Sequence, residues 1–185
     1  MGTVYLWKPQ VSPFRVGHLS LRLDDEEKTY ISFWPASSEG KSALKGVTAK
    51  CQTYDQDVSA EGGSPDASYF IPSRFLDLKK IRTWFQKILE KVEYSLFKNN
   101  CALTVYNALK EGGLQLFKQD SWRTTDMFIS FPDDDGPTYE EIEARKEIMR
   151  QGVIEDLPVT PATAFAWIKE RVQELKGNGK SWYQF

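Results

Sequence analysis

Two short runs of alternating residues lie on either side of an acidic turn: VGHLSLRL at 16–23, then DDEEK, then TYISFW at 29–34, closed by Pro35. Alternation with period two, bounded by turn residues, reads as a β-hairpin. A hairpin with a leucine face (Leu19, Leu21, Leu23) is marginal alone, so the rest of the chain must cover that face. Further strands are expected at 4–8, ahead of Pro9 and Pro13, and at 68–72. Helices supply the cover. Asp77 caps LKKIRTWFQKILEKV, where Ile81, Trp84, Phe85, Ile88 and Val92 form one apolar stripe. KNNCALTVYNALKEGGL begins at Asn99 or Asn100 and stops at Gly112 and Gly113. Two more helices are expected at 139–151 and 161–176. Between 36 and 67 the chain turns polar, with short strands possible in KGVTAKCQTYDQ and a loop tip at EGGSPD. An acidic loop follows at 119–137. Strands first and helices later predict an α+β fold: a small antiparallel sheet with the Cys101 helix packed on one face and further helices outside.

The chain has 185 residues, enough for one domain with a real core and too few for two. A net charge of -2 gives no electrostatic reason to expect nucleic acid or an anionic membrane as partner. No run of about 18 apolar residues is present to span a bilayer. The N-terminal MGTVYLWKPQ lacks the pattern of a Sec signal, and Leu6 stands where a myristoylation site wants Ser or Thr. The expected location is therefore cytoplasmic, or outside the producing cell by a route without a Sec signal, as for a delivered effector. Both cysteines, Cys51 and Cys101, read as free thiols. One histidine and two scattered cysteines do not make a zinc site, and no metal or other cofactor is implied.

That single histidine, His18, lies mid-hairpin on the face of Ser20 and Arg22. Cys101 lies in the first turn of a helix, where the dipole and free backbone N–H groups favour a thiolate. A histidine within reach would complete a nucleophile–base pair. The Cys101 N–H could then help to hold an oxyanion. Ser32, on the partner strand, shares a face with His18 if the hairpin is in register. Taken singly, a strand histidine ordinarily packs structurally and a helix cysteine is ordinarily a small core residue. Taken together and in this order, they favour catalysis. Cys51, in a polar stretch with no helix start, reads as incidental. Trp34 and Asn100, beside the pair, are assigned to substrate contact. The DDEEK and DDD runs read as solvated turns.

GHLSLRL, YISFWP and NNCALTVYNAL together resemble the circularly permuted papain-like thiol hydrolases, related to NlpC-type peptidases and to lecithin:retinol acyltransferase. In that group the histidine strand precedes the nucleophile helix. The resemblance implies Cys101 as nucleophile, His18 as base and Ser32 as the polar residue of the second strand. Many relatives carry a stronger acceptor at that last position. Either the serine suffices, or a backbone carbonyl or water orients the ring. The likeness spans about residues 4–114, which divides the single domain into a permuted papain-like core (1–117) and a C-terminal helical extension (118–185). The implied chemistry is cleavage of an amide, isopeptide or related acyl bond through a thioester. The alternatives are transfer of a fatty acyl group, or an inactive peptide- or lipid-binding module of the same fold. The implied partner is a peptide, protein or acyl-lipid substrate; the oligomeric state is open.

Overall fold

The computed structural model describes residues 1–9, 17–36, 46–95, 99–116 and 159–178. They lie within one compact unit built from Met1–Leu116 and Val159–Phe185. The acidic loop expected at 119–137 and the helix expected at 139–151 fall outside the described residues.

Strands β1 (Gly2–Trp7), β2 (His18–Leu23), β3 (Tyr30–Ile31) and β6 (Ala67–Ile71) form a four-stranded antiparallel sheet in the order β3-β2-β1-β6. Strands β4 (Phe33–Pro35) and β5 (Ala49–Cys51) pair antiparallel in a second, smaller sheet. The register places Val4, Leu6, Leu19, Leu21, Leu23, Ile31 and Ile71 on one face of the large sheet. These residues are buried in one core with Ile81 and Phe85 of α2 (Leu78–Lys91) and with Ala102, Val105 and Leu109 of α3 (Cys101–Glu111). The α+β architecture, with the Cys101 helix packed against β2, is present. Helix α4 (Pro161–Asn178), which the sequence reading placed in an extension, contributes Ala164, Ile168 and Val172 to the same core. Among the described residues no helix is long and apolar enough to cross a membrane.

The hairpin is shorter than its alternation suggested. β2 and β3 share only Leu21↔Ile31 and Arg22↔Tyr30 before the chain leaves at Ser32. The next residues find new backbone partners in the small sheet, where Gln52 N–H donates to the Ser32 carbonyl at 3.3 Å. The DDEEK turn is tied down rather than merely solvated. Asp25 accepts from the Thr29 N–H at 2.8 Å and from its hydroxyl at 2.7 Å, and Arg82 reaches it at 3.4 Å.

The polar stretch after Cys51 contains helix α1 (Tyr54–Glu61), where the sequence reading had placed only short strands and loop. It lacks an apolar stripe and is defined instead at its ends. Thr53 and Gln56 form a reciprocal capping box, and Gly62 closes the helix in the left-handed region at φ 78. Tyr54 packs against Tyr5, Trp7 and Tyr30, so α1 covers the second face of the large sheet, the face that carries His18.

Candidate active site

Two local features place the imidazole. His18 is the first residue of β2 and lies opposite Trp7, the last residue of β1. The chain enters β2 through Gly17 at φ +81, and a Cβ there would sit 2.7 Å from the Trp7 carbonyl oxygen. Only glycine fits that approach without strain, which accounts for the glycine before the histidine. The thiol is placed by capping. The Asn100 side chain accepts from the Leu103 N–H at 2.9 Å, starting α3 at Cys101.

These elements bring His18, Cys101, Ser32 and Trp34 together. His18 is 2% exposed and lies within the electrostatic reach of the Cys101 thiol. On its other side stands a group the sequence reading missed, Asp57 of α1, which is fully buried. His18 Nε2 lies 3.1 Å from Ser32 Oγ and 3.2 Å from Asp57 Oδ2. The Ser32 hydroxyl donates to Asp57 Oδ1 at 2.8 Å, so toward His18 it can only accept. Nε2 therefore carries a proton shared between Ser32 and Asp57.

Among the described residues Asp57 accepts from four donors, two on each oxygen. Oδ2 takes the Tyr30 hydroxyl at 2.6 Å and His18 Nε2; Oδ1 takes Ser32 and the Trp34 indole N–H at 2.8 Å. This uses the acceptor capacity of an ionised carboxylate. Trp34 Nε1 also approaches His18 Nε2 at 3.2 Å, but a protonated Nε2 cannot accept, and the shorter charge-assisted bond to Asp57 prevails. Burial opposes the charge on Asp57. The hydrogen bond and charge of His18, then the hydroxyls of Tyr30 and Ser32, nevertheless hold its pKa below the usual carboxylate range. Burial likewise opposes the imidazolium. The charge of Cys101 and the hydrogen bond to Asp57 outweigh it, and the His18 pKa is raised to about 9. Two indoles flank the ring, Trp34 with centroids 4.6 Å apart and Trp7 at 5.7 Å.

The expected third group was Ser32. The structure gives it a linking role, accepting from the imidazole and donating to the carboxylate. Ser32→Ala removes the bond accepted from the imidazole and the one donated to Asp57 but keeps the direct His18–Asp57 contact, and should cost about 1.5 kcal/mol or roughly a tenfold loss of Cys101 reactivity. Alkylation kinetics on the Ser32→Ala protein check this, and a loss as large as that on removing His18 would refute it. Trp34 and Asn100, expected at the substrate, are 5% and 4% exposed and are bound inside the protein. Trp34 donates to Asp57, and Asn100 Nδ2 donates to the Val159 carbonyl at 3.1 Å while its oxygen caps α3. Cys51 is exposed on β5, its thiol directed at the Tyr30 carbonyl at 3.4 Å. Tyr94 stacks on Phe33 with ring centroids 6.0 Å apart. Burial, then the Cys101 charge, push its phenol upward.

Asp57 had one visible signal. T-x-x-Q at 53–56 followed by Gly62 marks a short helix by its caps, and an aspartate within it is placed in register with Tyr54. Comparison of the chain with protein-family models, with curated proteins and with solved structures finds no match.

Proposed function

We propose that the protein is a cysteine hydrolase acting on an amide, isopeptide or related acyl bond, with Cys101 as nucleophile, His18 as acid–base and Asp57 as the group that orients the imidazole. One observation carries this reading: the only histidine in the chain is buried between a thiol at a helix start and a carboxylate whose acceptor sites are all used. The strand-then-helix order of His18 and Cys101 supports the permuted papain-like arrangement as the fold.

In this mechanism the Cys101 thiolate attacks the carbonyl carbon, and the carbonyl electron pair moves onto oxygen. The Leu103 N–H is taken by the Asn100 side chain, which leaves the Cys101 and Ala102 N–H groups of the first turn of α3 as the donors for that oxyanion. As the tetrahedral species collapses, the bond to the leaving group breaks and His18 Nδ1–H protonates the departing amine or alkoxide. The resulting thioester is attacked by water, with His18 taking the water proton, and the thiolate leaves. Asp57 keeps Nε2 protonated throughout, so proton transfer is confined to Nδ1.

The test is intact-mass analysis of the full chain after exposure to electrophilic acyl, peptide and ubiquitin-like probes. One adduct on Cys101, absent in Cys101→Ala and unaffected by Cys51→Ala, is expected. The probe class that reacts identifies the substrate class, and release of the acyl group to an added amine rather than to water marks a transferase. No adduct with any probe, or equal labelling of both thiols, would overturn the reading in favour of a binding module.

A further inference from the structure

The carboxylate oxygen that holds His18 is shared. Tyr30 donates to Asp57 Oδ2 at 2.6 Å, while His18 Nε2 stands 3.2 Å from the same atom. The shorter bond draws more of the charge on Oδ2. Ser20 Oγ lies 2.7 Å from the Tyr30 oxygen, and because the Tyr30 proton is committed to Asp57, Ser20 must be the donor in that pair. Ser20, Tyr30 and Asp57 thus form a directed chain, each bond polarising the next. Ser20 is fully buried, and it belongs to the same strand face as His18.

We propose that Tyr30 is a positioning residue whose hydroxyl competes with His18 for Asp57 Oδ2, limiting how tightly the carboxylate holds the imidazolium and so how readily His18 releases its proton to a leaving group. The proposal rests on the hydrolase reading for its purpose, whereas the competition itself is present in the resting protein. A carboxylate with only one strong donor would bind the imidazolium too firmly for it to act as an acid. With Tyr30 and Ser20 in place, the counter-charge remains but its pull on His18 is reduced. The other groups facing the pair are Cys101 from α3, Ser32 and Trp34 beside β4, Trp7 from β1, and Cys51 from β5, which lies within the field of Asp57. Glu61, one turn beyond Asp57, acts in the field of Tyr94. None of these shares Oδ2 with His18.

A single histidine gives a single imidazole resonance, so its titration can be followed by NMR in the full chain without assignment. In Tyr30→Phe the competing donor is gone, and His18 should bind its proton more tightly than in the unsubstituted protein, roughly three- to tenfold. Ser20→Ala keeps the phenol but removes the bond that polarises it, and should move the titration the same way by a smaller factor. An unchanged or weakened proton affinity in Tyr30→Phe would overturn the inference, because a hydroxyl that merely holds Asp57 in place loosens the His18 contact when it is lost. If that variant does not fold, the direction in Ser20→Ala decides on the same terms. Cys101 alkylation measured on the same samples separates the two readings. A Cys101 no more reactive than Cys51 counts against the hydrolase, while the His18 titration still decides the role of Tyr30.

Discussion

At pH 6, replacing His18 with alanine should slow alkylation of Cys101 by a factor on the order of 10². An ordinary thiol, with a pKa near 8.5, is well under roughly one per cent thiolate at that pH. The His18 pKa of about 9 keeps an imidazolium within the electrostatic reach of Cys101 across the whole range below it. The sign follows directly. Below about pH 9, where His18 is an imidazolium, Cys101 of the unsubstituted protein should react with iodoacetamide faster than Cys101 of His18→Ala. Above about 9 the imidazolium is lost and free thiols are themselves ionised, so the two profiles converge. The helix dipole remains in the variant and accounts for any residual reactivity above that of Cys51. Identical pH profiles for the two proteins would show that thiol and imidazole are not coupled, whatever their proximity.

Asp57→Asn should be nearly as damaging and should also destabilise the fold. The imidazolium loses its counter-charge and its fixed acceptor, leaving burial to oppose protonation, so turnover of a reactive probe should drop by up to about 10⁴, the drop seen when the orienting carboxylate of a catalytic triad becomes an amide. The amide offers one oxygen where the carboxylate offered two, and its NH2 is itself a donor set among Tyr30, Ser32, Trp34 and His18. At least one or two buried donors then go unmatched, each costing about 1–3 kcal/mol. Probe kinetics and thermal denaturation read the two effects separately. Asp57→Asn protein that keeps activity within a few-fold of the original would remove Asp57 from the mechanism.

The parts of this site that could be read in sequence are those specified locally. Asn100 caps α3 and so puts Cys101 at its start; Gly17 and the alternation after it put His18 on the face of Ser20; Ser32 follows from the parity of the return strand. Each of these depends on neighbours within a few residues. Asp57 does not. It stands 39 residues from His18, on a helix without an apolar stripe, and reaches the site only because Tyr54 packs on the strand face that also carries His18. A hydrophobic-period reading passes over such a helix, although its capping box and Gly62 mark both ends. The same limit applies to Trp34. Its position beside the pair was legible, but the bond from its indole N–H to Asp57 was not, since the acceptor had not been recognised. Helix α4 lies past the reach of the family resemblance, so its role in the core was not legible from that likeness; Ala164, Ile168 and Val172 join the core beside the sheet.

The brevity of α1 has a consequence for how the site is maintained. Eight residues are too few to hold helical structure in isolation. This helix persists through its caps, the docking of Tyr54 and the bonds that Asp57 itself makes, so the carboxylate is among the contacts that keep its own helix folded. Each local opening of α1 withdraws the counter-charge from His18 in the same event, which makes the charge balance at His18 and the order of the helix a single equilibrium.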